Sequence, residues 1–337
     1  MGALMRSFGF EVKSREGKDV KIPLAVAGQT MVDVQRILTE IVSSVLRTEM
    51  LIQNDIPSRI LSRYQLTVGG NVPGGISSES SSEGRQLIES CLDAFCGTLD
   101  YVGKGIVNPW ISNNYPETLG RRKLCEAILA LSDHIDGYTL RYGDADSMRE
   151  FTGVNRDKML AQIKEDSAVH RNASRLGVLI GDIGKKKVYL FDGKDKIQVH
   201  FGNAASEHAK NFISNGIVIV RGTGEFNENG VLKSIKDVTG ITPVDTISYK
   251  RIVSENRDIT LACALPAHVT VNADGSVWTF RNDDLGVDVS KNNWDDATLA
   301  FHEYLEFLWE EYAESDRELE GEEKDIADLL RSYAPLF

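Results

Sequence analysis

The stretch from His268 to Tyr312 constrains the fold of this chain most. It reads VTVNADGSVWTF, then DDLGVDVS, then NNWDDATLAFHEYLEFLWEEY. Val269, Val271, Val277, Phe280, Val287 and Val289 supply apolar positions of strand type. Asp274-Gly275 is a hairpin signal, because a tight type I′ turn needs positive φ at its central positions. Asn292 or Asn293 is placed to cap a helix, with Asp295 and Asp296 in the first turn, where the helix dipole favours carboxylates. Trp294, Ala297, Phe301, Tyr304, Leu305, Leu308 and Tyr312 form one helical stripe that a sheet can cover. The expectation is two or three short strands beneath one amphipathic helix. No catalytic group stands out in it.

Upstream, the apolar period changes once. Phe8 to Leu24 reads as two strands around Gly17. Thr30 is the expected cap of a long helix whose stripe is Val34, Ile37, Leu38, Ile41, Val45 and Leu46. Pro57 opens a short helix that leads into a strand, YQLTVGG. Residues 69–84, rich in glycine and serine, read as a loop; no Lys-Ser or Lys-Thr follows, so they are no P-loop. Gln86–Tyr101, Thr118–Ile135 and Asn155–Lys164 are expected helices, IVNPWISNNYP an aromatic connection, and residues 137–143 a strand. From near Asn172 the period is two, through RLGVLIGDIG, KKVYLFDG, KIQVHFG, GIVIVRGTGEF and VLKSIKDVTGI. One helix, Ala204–Ser214, precedes the fourth run. Five such strands make a small closed or partly closed barrel. Pro243–Asp258 reads as a linker.

The expected architecture is therefore α+β and multidomain. A helix-rich domain spans residues 1–168, a small β-barrel 172–247, and a sheet-and-helix domain with an acidic tail 259–337.

The phrasing GVLIGDI, VYLFDG, KIQVHFG and GIVIVRGTGEFNENGVLKSIKDV resembles the small OB-like barrels that recur as accessory domains in multidomain prokaryotic proteins. DGSVWTF, LGVDVS and NNWDDATLAFHEYLEFL resemble the HicB-like antitoxin fold, a small sheet with one covering helix. No ribbon-helix-helix or helix-turn-helix segment follows. An acidic linker, ESDRELEGEEKD, and a short amphipathic helix, IADLLRSYAPLF, follow instead. The second resemblance implies a non-enzymatic, protein-binding regulatory or antitoxin-like subunit, of a prokaryotic toxin–antitoxin or defence system. Its acidic end would restrain a basic partner by steric masking.

Charge fits that expectation. Residues 294–337 carry 14 acidic and 3 basic side chains, so nearly all of the net −12 lies there. Such an end repels phosphates and attracts a basic protein. No run of about 18 apolar residues predicts a membrane span. The opening residues lack the pattern of a signal peptide, and Arg6 stands where a myristoylation motif wants Ser or Thr. Cys91, Cys96, Cys125 and Cys263 form no CxxC pair in apolar surroundings, which predicts buried reduced thiols and a cytoplasmic location.

Candidate chemistry is sparse. His134, between Asp133 and Asp136 and followed by Asp144 and Asp146, has the residue types of a metal or acid–base site, but also those of a solvated helix end. His200 and His208 lack a neighbouring nucleophile, and His302 falls beside the helix stripe. Gly222-Thr223-Gly224 inside a strand suggests a bulge. No catalytic residue, cofactor or metal ligand is expected. Two surfaces are. Trp309, Glu310, Glu311 and Tyr312 set aromatics beside acids, as protein interfaces do. Lys185, Lys186 and Lys187 form a basic turn near Tyr189, Phe191 and Phe201, a combination suited to single-stranded nucleic acid. That makes a nucleic-acid adaptor the alternative, and an enzyme with a site in the N-terminal domain a third.

Overall fold

The computed structural model describes residues 8–15, 21–65, 85–115, 117–144, 146–185, 187–227 and 230–334. The expected Gly/Ser loop and most of YQLTVGG lie outside them. Among the described residues the chain forms nine α-helices and twelve strands in three sheets. It is α+β, with helices concentrated early and most strands later. It divides into two compact units, Met1–Val45 with Pro57–Ser167, and Leu46–Ile56 with Ala168–Phe337.

In the first unit, β1 (Phe8–Ser14), β2 (Tyr138–Asp144) and β3 (Arg149–Phe151) form an antiparallel sheet in that order. Residues 21–23 are not a strand, and residues 16–20, around Gly17, lie outside the described residues. The partner of β1 is β2, with Val12 opposite Leu140. The helices are α1 (Leu24–Met50, whose last turn belongs to the second unit), α2 (Ser58–Leu61), α3 (Arg85–Gly103), α4 (Asn108–Asn114), α5 (Thr118–His134) and α6 (Arg156–Asp166). Thr30 is no cap: α1 starts six residues earlier, and the Thr30 hydroxyl donates to the Val26 carbonyl one turn back at 2.8 Å. The expected aromatic connection contains α4. Its Trp110 ring stacks on Tyr101 with centroids 3.9 Å apart. Phe95 of α3 meets Phe8 and Tyr142 edge-on, which seats the helix on the sheet. Glu117 caps α5 by accepting from Leu119 N and Gly120 N, and Asn155 caps α6 by accepting from Lys158 N.

The second unit begins with a closed barrel. Its strands are β4 (His170–Asp182), β5 (Lys187–Phe191), β6 (Lys196–Val199), β7 (Ile217–Phe226) and β8 (Leu232–Val244), with α7 (Asn203–Ala209) between β6 and β7. Around the barrel the order is β4-β5-β6-β8-β7, and β7 pairs back onto β4. Every pairing is antiparallel except β6 with β8. Leu179, Val188, Leu190, Ile197, Val199, Val218, Val220 and Ile235 fill the interior. Gly222 faces a bulge of β8 at Asp237–Thr239; a Cβ there would lie 2.5 Å from the Lys236 carbonyl oxygen. The glycine is kept by that close approach.

A four-stranded sheet, β12-β11-β10-β9, completes the unit, from β9 (Thr246–Val253), β10 (Asp258–Val271), β11 (Trp278–Asn282) and β12 (Val287–Lys291). Pro243–Asp258 is thus not a linker but the end of β8, all of β9 and a turn. Helix α8 (Trp294–Leu308) covers the sheet, a π-helical turn (Trp309–Ala313) extends it, and α9 (Glu322–Tyr333) folds back. Leu330 of α9 is fully buried in the same core as Trp278, Phe280 and Phe301. That core continues into the outward side chains of the barrel: Leu176, Val178 and Ile217 belong to it, with Ile180 and Ile219 packed against it.

The short segment Leu51–Asn54 locks this arrangement. Trp294 Nε1 donates to the Leu51 carbonyl at 2.8 Å. Asp295 accepts from Gln53 N, Asn54 N and Asn54 Nδ2. Burial pushes the Asp295 carboxyl above its usual range against those hydrogen bonds. Arg175 of β4 donates to the Gln53 carbonyl and pairs with buried Asp192 at 2.6 Å. Asp192 also holds the β5–β6 turn by accepting from Lys194 N and Asp195 N.

Candidate nucleic-acid interface

The barrel wall is built by alternation, and β5 and β6 show what each face does. Val188, Leu190, Ile197 and Val199 point inward and are at most 3% exposed. Tyr189, Phe191, Lys196, Gln198 and exposed His200 point outward. Register sets Tyr189 opposite Gln198 and Phe191 opposite Lys196, and on the other side Ile180 opposite Tyr189. Lys196 Nζ lies 5.4 Å from the Phe191 ring centroid, within cation–π range. Tyr189 and Phe191 are half-buried. Phe191 leans on the β10–β11 hairpin: a Cβ on Gly275 would come within 2.7 Å of its ring. Phe201, by contrast, packs against the barrel interior.

Lys187 is exposed at the start of β5, and Lys185 is exposed in the turn before it. Lys186 lies outside the described residues. Lys185 has an exposed, loose partner in Asp182 at 3.8 Å, which leaves most of its field open to solvent. Lys187 and Lys196 form no ion pair among the described residues. Farther round, on β8 and β7, Lys236 pairs with Glu225 at 2.7 Å. Hydrogen bonds from Lys236 and Ser234 hold the Glu225 carboxyl below the ordinary range. Residues 168–244 carry eleven lysines and arginines against seven carboxylates, so this segment is basic in an acidic chain.

The other expected surface is largely used internally. Trp309 is 6% exposed and belongs to the sheet core, and Tyr312 packs against that core. Arg257 pairs with Glu310 at 3.2 Å and with Glu314 at 2.6 Å, and Arg317 with Glu311 at 2.7 Å. Tyr304 is not in the buried stripe; it is 40% exposed, and Thr298 and His302 take the inner positions.

His302 is fully buried. Its Nδ1 accepts from Val253 N at 3.3 Å, and burial pushes its pKa down to about 3, so the ring is neutral. His134 Nδ1 lies 2.6 Å from the buried carboxylate of Asp33, while Asp133 pairs with Arg156. Among the described residues no three His, Cys, Asp or Glu side chains group as metal ligands. His200 donates its backbone N–H to Ile235 O, and His208 packs edge-on against Phe212. Cys91, Cys96 and Cys125 are buried free thiols; burial raises Cys96 to about 11 and Cys125 to about 12. Cys263 differs from the expectation and is exposed, because it sits where β10 bulges between Thr260 and Leu265. Among the described residues no helix is long and apolar enough to cross a membrane.

The signal that sequence reading missed was the second half of this face. Lys196 and Gln198 alternate with apolar residues as clearly as Lys187 and Tyr189 do, yet only the lysine turn with its neighbouring aromatics was joined into a surface. Compared with protein-family models, with curated proteins and with solved structures, the chain gives no significant match.

Proposed function

We propose that this chain binds single-stranded nucleic acid across the β5–β6 face of its barrel, which we read as an OB-fold. The strand order supports that reading. Counted from β4, it is first, second, third, fifth, fourth, with a helix between third and fourth and a parallel contact between third and fifth. OB-folds bind oligonucleotides across their second and third strands and the adjoining loops. Here those strands are β5 and β6, and the turn between first and second strands holds Lys185.

One observation carries the proposal: the outward row of β5 and β6 pairs uncompensated lysines with half-buried Tyr189. Lysines track a phosphate backbone and an aromatic ring stacks a base, at about 1–3 kcal/mol per base. One or two rings and a few lysines make this a weak, sequence-tolerant site, with dissociation constants on the order of micromolar at low salt. The chain would then act as an adaptor. An antitoxin-like role resting on Trp309–Tyr312 has less support, since Trp309 lies in the core and Glu310 and Glu311 are paired.

Fluorescence anisotropy with labelled single-stranded DNA and RNA, read across a salt series, tests the proposal. Binding weakens as salt rises, and Lys187→Ala with Lys196→Ala flattens the logarithmic slope by about 0.7 per lysine. Absence of binding at low salt, or an unchanged slope in the double variant, sinks it.

A further inference from the structure

Helix α8 presents two faces of opposite character. Phe301, Leu305 and Leu308 are at most 4% exposed against the sheet, while Tyr304 and Phe307 are 40% and 51% exposed. The angular step of about 100° per residue puts Tyr304 and Phe307 together on the outer side. Their rings are 5.9 Å apart and tilted by 54°. Two large aromatics side by side in water are a feature that interfaces use, since aromatics are enriched there. Exposed carboxylates Asp296 and Glu303 share this side of the helix.

The same end of the molecule already shows what such a surface takes. Arg317 pairs with Glu311 and lies 5.8 Å from the Tyr312 ring centroid, and Arg257 is gripped by Glu310 and Glu314. Those guanidiniums offset only part of the acidic excess of residues 294–337. We propose that the outer face of α8 docks a basic segment of a protein partner, with an arginine laid on Tyr304 or Phe307 in the field of the surrounding carboxylates. A planar guanidinium suits both halves of the surface, stacking on a ring and forking to a carboxylate, which a lysine does less well. Nucleic acid is repelled by this face, and so is the same face of a second copy, which brings the same negative charge. The inference is independent of the barrel reading.

The test uses the full chain and a short labelled peptide of alternating Arg and Leu, with Lys/Leu and Glu/Leu peptides for comparison, at about 0.15 M salt so that long-range attraction is screened. The Arg peptide binds most tightly and the Glu peptide not at all. Phe307→Ser and Tyr304→Ser each weaken the Arg peptide about tenfold while leaving the thermal midpoint unchanged. Wild-type binding that neither substitution alters reduces the effect to bulk charge and overturns the proposal, as does failure of the wild type to bind. A dimer in sedimentation that Phe307→Ser dissolves also overturns it, by making a second copy the occupant.

Discussion

The two halves of the barrel wall come from the same alternating pattern and end in opposite circumstances. On β4 and β7, the outward residues Leu176, Val178, Ile180, Ile217 and Ile219 are apolar and sealed against the sheet core. On β5, β6 and the residue after it, outward Lys187, Lys196 and His200 are exposed, Tyr189 and Gln198 are half-buried, and Phe191 at the end of β5 meets the β10–β11 hairpin. A barrel needs only its interior to close. What its outer wall carries is therefore free to differ from strand to strand, and that choice separates the half that holds the unit together from the half proposed to meet a ligand.

The sharpest way to break the comparison is to place the same charge on each half. Val178→Asp sets a carboxylate among side chains of a closed core and costs more than about 4 kcal/mol, enough to unfold the unit. Tyr189→Asp costs under about 1 kcal/mol in stability but abolishes oligonucleotide binding. Urea melts and anisotropy on the two variants read both effects; equal destabilisation would erase the distinction. Next in size is Arg175→Ala, which leaves Asp192 buried without its cation and costs about 3 kcal/mol in the same melts.

The smallest effect is pH-dependent and concerns the cover of the sealed half. His302 keeps a pKa of about 3 in the folded chain against an ordinary value of 6.5. Between those values the unfolded chain takes up a proton that the folded chain refuses. Its contribution to stability is thus complete above pH 6.5 and is lost as pH falls through the window toward 3. From pH 7 to pH 5 the loss is about 2 kcal/mol. His302→Leu removes that part of the slope, and equal slopes for variant and wild type between pH 7 and 5 would contradict it.

Much of this architecture was legible in the residues. Alternation located all five barrel strands, and the apolar stripe located α8. Strand β9 was missed although Thr246, Ile247, Ser248, Tyr249 and Lys250 alternate outward and inward, because Pro243 reads as a breaker. Proline is tolerated there: β8 touches β6 only at Ser234 and Ile235, so at Pro243 it is paired on one side, with Val218. Trp309 was misplaced although it follows buried Phe301 and Leu305 at four-residue spacing, on the inner stripe of α8. For the site, the lysine turn was visible, while the sealing of the neighbouring wall depends on contacts far apart in sequence.

The bond from Trp294 to the Leu51 carbonyl spans 243 positions. On a ribosome adding about 5–20 residues per second, Leu51 emerges tens of seconds before its partner exists. Its neighbours Gln53 and Asn54 wait equally long for Asp295. The second unit therefore reaches its finished form only after α8 is made, and one of its earliest pieces is held in reserve through most of synthesis.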